Sequence, residues 1–427
     1  MKSLLYLSLF LVIIIRTSLV SQAETIAITG GKVYSMIDND PLTNVTILIV
    51  DEKIKAIGPN IKIPRNAVLI NAKNKIITPG FMSSATHLGL TEVLAVSETN
   101  DFSGSDKAAG SIFDVSYGFN PNSTVIPIVR MGGLTRSIII PSANQSPIAG
   151  LGAIIHLGSE GRLITHKGNA LFVEMGEHGA KLAGGTRGAA WGQLKLLLDR
   201  AKNYRNKKNK GLIPNDLTVF MDILSKEIPL VATVDRASDI QQVIELAEDY
   251  NIRAIIMGGA ESWMVADQLA QANIPVILDP TLNFPDLFET INARHDTATL
   301  LHKAGVKMGF SMPRLAGLRT PAFTHNANKI RISAGIAVAN GLPYLAALKA
   351  LSIDAAHIWG IDKDYGTLQK GRDADIVIWS DDPLEIMTNA EIVIIKGHIM
   401  PKTNRQIMLR DRYFPAKLND PIPPKYR

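Results

Sequence analysis

Thr78-Pro-Gly-Phe-Met-Ser-Ser-Ala-Thr-His87-Leu-Gly-Leu90 is the stretch whose reading decides the fold. The run leading into it, Lys75-Ile-Ile-Thr-Pro-Gly-Phe81, is apolar and broken by Pro-Gly, the pattern of a short buried strand closed by a turn. Upstream, residues 26–34, 45–50, 53–58 and 67–71 each read as a short strand, with turn residues at 30–31, 38–41 and 58–60. Downstream the pattern changes. Strand-like runs at 125–129, 136–140, 230–234, 254–257, 274–278 and 306–311 alternate with helical stretches at 188–202, 217–225, 237–250, 263–272, 296–304, 327–340 and 343–352. Such alternation predicts parallel strands joined by crossover helices, and its length suits a barrel.

The far end of the chain is β-rich again. Tyr365-Gly-Thr-Leu-Gln-Lys-Gly-Arg-Asp-Ala-Asp-Ile-Val-Ile-Trp379 and residues 391–397 read as strand, turn and strand, separated by Ser380-Asp-Asp-Pro383. Neither end has enough strands to bury two faces by itself. The expected fold is therefore α/β: residues 24–80 and 367–405 form one small composite β-sandwich around a (β/α)8 TIM-like barrel at 81–366. Asp373 and Asp375 read as turn and strand-end residues bonded to local backbone. The tail, 406–427, is rich in Pro and charge and is expected on the surface with little regular structure.

Composition narrows the function. The chain has 427 residues, 46% of them hydrophobic, enough for one large or two modest domains. Residues 1–23 read as a secretory signal: Lys2 supplies the charged start, 4–15 the apolar run, and Ser21-Gln-Ala23 a small-x-small cleavage site. Export is the expectation, to the periplasm if the source is Gram-negative. The formal charge is +6, and removing Lys2 and Arg16 with the signal leaves +4, too mild to suggest a nucleic-acid partner. The chain has no cysteine, which excludes disulfides, thiolate catalysis and cysteine metal sites. The basic run Tyr204-Arg-Asn-Lys-Lys-Asn-Lys-Gly211 reads as a solvated surface connection.

Pro79-Gly-Phe-Met-Ser-Ser-Ala-Thr-His87 resembles the amidohydrolase superfamily motif Pro-Gly-Phe/Leu-Ile-Asp-x-His-x-His. Gly366-Thr-Leu-Gln-Lys-Gly-Arg-Asp-Ala-Asp-Ile-Val-Ile-Trp379 resembles the carboxy-terminal signature of the same superfamily. Ala149-Gly-Leu-Gly-Ala-Ile-Ile155 and residues 346–360 are similar to the imidazolonepropionase-like, exported branch. The resemblance implies a sandwich giving way to the first barrel strand at Phe81. It also implies a divalent metal, usually zinc, that acidifies a water and polarises a non-peptide C–N bond for hydrolysis. Its ligands would be two histidines on the first strand, a Lys or Glu on the fourth, and a histidine each on the fifth and sixth. An aspartate on the eighth would bind the metal and take the proton from water.

The chain departs from that pattern at the chemistry. Ala85 stands at the first histidine and His87 alone remains. On the fifth strand, Pro229-Leu-Val-Ala-Thr-Val-Asp-Arg-Ala-Ser-Asp-Ile240 puts Thr233 and Asp235 where the branch has two histidines. On the sixth, Met257-Gly-Gly-Ala-Glu261 puts Gly258 at the imidazole position. On the eighth, Met312 or Pro313 takes the aspartate position. A catalytic zinc needs about three protein ligands and an open position, so His87 alone cannot hold one usefully.

The resulting expectation is a non-catalytic homologue that keeps the fold as a binding or subunit surface, with His87 a vestigial ligand and no cofactor. Its partner would be a second copy or an active paralogue. The mouth, stripped of imidazole and carboxylate, would suit a small neutral ligand. The alternative is an active C–N hydrolase, zinc-dependent, using a relocated site near His87, Glu174 and His178. Against it, His156, His166, Glu174, Glu177 and His178 read as polar residues of a variable loop. His295, His302, His325 and His398 are scattered, and His357 is expected to pack beside Trp359. Gly184-Gly-Thr-Arg-Gly188 and Gly258-Gly259 lack the lysine of a phosphate loop.

Overall fold

Short aliphatic and β-branched runs, separated by residues that tolerate a left-handed backbone, set the opening of the chain into strands. The computed structural model describes residues 25–104, 110–159, 161–206, 214–281, 284–311 and 324–414. Strands β1 (Thr25–Thr29) and β2 (Lys32–Val33) part at Gly30, whose φ of 81° suits a residue without Cβ. Then follow β3 (Thr46–Val50), β4 (Lys53–Gly58), β5 (Val68–Asn71) and β6 (Ile76–Pro79).

The first sheet runs β4-β3-β1-β5. The second takes β2 and β6 from the start of the chain. It adds β15 (Ile376–Trp379), β16 (Ala390–Ile395) and β17 (His398–Ile399) from the end, ordered β17-β16-β15-β6-β2. Ile26, Ile28, Ile47 and Ile49 of one sheet bury against Ile77, Ile376, Ile378 and Ile394 of the other.

The barrel is one sheet of eight strands laid side by side in chain order. They are β7 (Phe81–Thr86), β8 (Leu134–Ile139), β9 (Ile148–His156), β10 (Ile164–Glu174), β11 (Leu230–Val234), β12 (Ala254–Gly258), β13 (Val276–Leu278) and β14 (Met308–Phe310). Its ends meet where Gly309 of β14 faces Ser84 of β7. A Cβ at Gly309 would stand 2.5 Å from the Ser84 hydroxyl. The TIM-like reading holds with one modification. β9 pairs antiparallel with both β8 and β10, so a hairpin replaces a βα crossover there.

The run 125–129, expected as a strand, is helix α1 (Val125–Arg130). Pro127 sits in its first turn, where the missing N–H has no intrahelical partner to lose, and Val125, Ile126 and Val129 are buried. Between β10 and β11 lie α2 (Glu177–Leu182), α3 (Arg187–Asn206) and α4 (Asn215–Leu224). Next comes α5 (Ala237–Tyr250), where Ile240, Val243, Ile244 and Ala247 form the buried stripe and Asn251 ends the helix at φ 51°. The remaining helices are α6 (Ala266–Gln271), α7 (Thr297–Lys303), α8 (Ile330–Ala339), α9 (Tyr344–Ala350), α10 (Ile353–Ile358) and α11 (Arg405–Tyr413). Helix α11 gives residues 406–413 regular structure, contrary to the expectation for the tail. It buries none of its residues. The rest of the tail, from 415, and the signal segment 1–23 lie outside the described residues. Among the described residues no helix is long and apolar enough to cross a membrane.

Asp373 and Asp375 do more than cap local backbone. Arg136 of β8, buried, donates from Nε to Asp375 at 2.9 Å and from Nη2 to Asp373, and Lys53 reaches Asp373 at 2.6 Å. This knot locks the barrel floor to the sandwich. Beside it, Tyr365 donates to the Gly80 carbonyl, and Trp379 Nε1 donates to Thr78 Oγ1 at 2.8 Å.

Candidate functional site

Alternation along each barrel strand decides which side chains reach the axis. Phe172, Val231, Ile255 and Ile277 share the interior core with Met82, Ile138 and Ala85. Two residues further on, the same alternation brings Glu174, Thr233, Met257 and Asp279 to the carboxy-terminal mouth. Glu174 pairs in register with Thr233, and Thr233 with Met257.

His87 follows β7 directly and is fully buried. Its Nε2 lies 3.1 Å from Ser142 Oγ, and its ring stacks on Phe102 with centroids 4.1 Å apart and planes within 3°. Nδ1 has no hydrogen-bond partner among the described residues. Burial pushes the pKa down to about 3, so the ring is neutral. Phe102 arrives on the long excursion after β7. Its carbonyl accepts from Ser142 N at 2.8 Å, while the Phe113 carbonyl accepts from Leu151 N at 2.7 Å. The excursion is thus stitched to β9 and to the segment after β8, with an aromatic ring laid flat on the imidazole.

The other expected positions behave differently from one another. Ala85 is 1% exposed and packs among apolar neighbours, and Thr233 is equally buried. Gly258 ends β12 at φ 101°, a backbone conformation that side-chain-bearing residues rarely adopt, so an imidazole there would be strained. Met312 and Pro313 lie outside the described residues.

Glu174 is not in a loop. It is the last residue of the long strand β10, buried, with its backbone N–H bonded to the Pro147 carbonyl at 2.8 Å. His178 belongs to α2, and its Nε2 lies 3.3 Å from the Ala143 carbonyl. That fixes Nε2 as the protonated nitrogen. His156 and His166 are on strands too. His156 ends the inverted β9, so it stands at the sandwich end of the barrel, away from His87. Its Nδ1 accepts from Gly158 N at 3.2 Å and its Nε2 meets the Arg162 carbonyl at 3.1 Å. His357 does not pack inward beside Trp359. It is exposed, with Nδ1 3.7 Å from Asp362.

Besides Asp235, several carboxylates found here are not singled out by the sequence. Asp235 accepts from Ala260 N at 3.2 Å, and Glu261 accepts from Ala237 N and Asn292 Nδ2, both at 2.9 Å. Arg187 bridges Asp239 at 2.8 Å and Glu289 at 3.1 Å, and Arg236 also donates to Asp239, at 3.0 Å. Glu289 accepts from Glu177 N at 2.7 Å. These bonds lace together the loops after β10, β11, β12 and β13. Asp279 was legible in principle, as a carboxylate directly after the apolar run 274–278. The mouth is therefore not stripped of charge. Even so, among the described residues no group of three or more His, Asp or Glu could hold a metal ion. The residues described do not fit a catalytic zinc.

Residues 264–400 match the family model described as the amidohydrolase family. "Amidohydrolase tasK" of Hapsidospora irregularis is 20% identical over 398 residues, which is 79% of this chain and 37% of that protein. The chain thus spans little more than a third of that relative's length. The crystal structure of an amidohydrolase from Thermotoga maritima MSB8 superposes with a TM-score of 0.79 at 24% identity, over 88% of this chain and all of that one. Molinate hydrolase is similar at a TM-score of 0.54 and 14% identity, over 94% of this chain and 99% of its own. These structural likenesses are likenesses of fold.

Proposed function

We propose that this chain is an amidohydrolase-family member, a reading supported by the family match over residues 264–400, and that it keeps the barrel and has given up metal-dependent hydrolysis of C–N bonds. On this reading it serves as a binding or subunit surface outside the cytoplasm, its partner a second copy or an active paralogue. The observation that carries the proposal is His87. The one family imidazole left on the first strand is neutral, held by Ser142 and covered by Phe102, while Ala85, Thr233 and Gly258 carry no nitrogen ligand. A zinc ligand must present a lone pair to an open coordination position.

A second reading rests on Glu174, whose place at the end of β10 beside Thr233 is where the superfamily resemblance implies a fourth-strand ligand. With His178 on the adjoining helix it is the nearest thing to a relocated site. The test is a hydrolysis assay on amide, dipeptide and carbamate substrates, with and without added zinc, comparing wild type, His87→Leu and Glu174→Gln/His178→Ala. The proposal expects background rates for all three. Turnover in the wild type that disappears in the Glu174/His178 double variant would replace it with the second reading.

A further inference from the structure

On the opposite face from His87, where β11 to β14 begin, a cleft of about 330 Å³ opens between strand starts and helix ends. Its lining is mixed: Ile255, Leu269, Ile274 and Ile358 stand behind it, almost fully buried, and its rim carries Arg253, Lys307 and His357. All three rim side chains are exposed. The backbones beneath them are fixed: the Arg253 carbonyl accepts from Leu230 N at 2.9 Å, and the Lys307 carbonyl from Val276 N at 3.0 Å. Among the described residues neither cation is engaged in an ion pair or side-chain hydrogen bond. Two carboxylates are close, Asp362 at 3.7 Å from His357 and Asp354, whose charge is felt by Lys307 and His357.

Helix-end electrostatics explains part of this. Helices α6, α7 and α10 all end here, and cations complement their terminal carbonyls. It does not explain a hollow of ligand size beneath the two unengaged cations, which is the make-up of a small-molecule site. The same helix ends and Asp354 disfavour a multiply charged anion more than a singly charged one. Arginine's fork matches a carboxylate with two parallel hydrogen bonds.

We propose that this cleft binds a small carboxylate, its head on Arg253 and Lys307 and its body in the hollow beneath them. The site is separate from the barrel mouth and stands whether or not the mouth is catalytic. Calorimetric titration of the full-length protein at pH 7 with hexanoate and benzoate tests it, with hexylamine and inorganic phosphate as controls. Saturable binding of a carboxylate is expected, weakened about tenfold in Arg253→Ala and again in Lys307→Ala, the size expected for one charge-assisted hydrogen bond. Arg253→Lys should fall between. Both side chains are exposed, so unchanged melting temperatures without ligand would show that the variants fold. The proposal is overturned if neither carboxylate binds, if the alanine variants bind as tightly as the wild type, or if hexylamine or phosphate binds as well.

Discussion

His87 is a buried imidazole without a counter-ion, and its environment taxes the charged ring rather than the neutral one. The folded ring stays deprotonated down to about pH 3, whereas the same ring in the unfolded chain titrates near 6.5. Between those values the unfolded state binds the extra proton, so the protein loses stability as pH falls from about 6.5 toward 3. Urea denaturation at pH 6.5 and pH 5 should show His87→Leu losing less than wild type, by up to about 1.4 kcal/mol per pH unit. Equal losses in both proteins would mean that the ring is not buried as described. Gly258 makes a second residue-scale case. Its φ of 101° means that Gly258→His should destabilise, by about 1–3 kcal/mol, without producing a zinc-binding protein. At this scale the sequence could place Ala85, Thr233 and Gly258 on or beside their strands, because neighbouring motif residues locate them. It missed Phe102 and Ser142, which come from segments far along the chain, and the loop carboxylates, whose partners are set by tertiary contacts.

Among the elements, the inverted strand β9 has the widest consequences. Nothing in the glycine-rich run 149–155 announces direction, since a buried strand reads the same both ways. The hairpin it forms with β10 carries Glu174 to the mouth and His156 to the far end, a separation that spacing alone could not give. Helix α1 stands where the sequence suggests a strand for a related reason, because short β-branched runs carry no reliable period. The elements β11, α5 and β12 were legible almost to the residue, where a clean 3.6-residue stripe sits between two apolar runs. The knot between β8 and the sandwich yields a sharp prediction. Arg136→Met leaves Asp373 and Asp375 without their buried partner and should cost about 3–5 kcal/mol by chemical denaturation. Lys53→Met removes a half-exposed partner and should cost under about 1 kcal/mol. Similar costs for the two would show that the knot is not the buried joint. At the barrel seam, Gly309→Ala should destabilise by about 1–3 kcal/mol and be largely rescued by Ser84→Gly. Additive effects in that cycle would place the two strands apart.

At the scale of the whole molecule, two chain ends meet in one sheet, and the barrel closes between them. The general architecture could be read early because the sandwich and barrel motifs are local in sequence, each a run of residues with its own turn. The state of the mouth could not, because it depends on how an excursion, a hairpin and four loops fold over it. The barrel's stability rests on apolar layers and on ion pairs away from the strand ends, so the chemistry at the mouth can change without the fold following. The central claim is that this mouth no longer holds a catalytic metal. It is tested most directly by elemental analysis of the full-length protein, purified without chelator and dialysed against metal-free buffer. The account predicts zinc, manganese and iron all well below one ion per chain, with no gain in melting temperature when any of them is added. One ion or more per chain, retained through dialysis and lost together with stability on chelation, would contradict it.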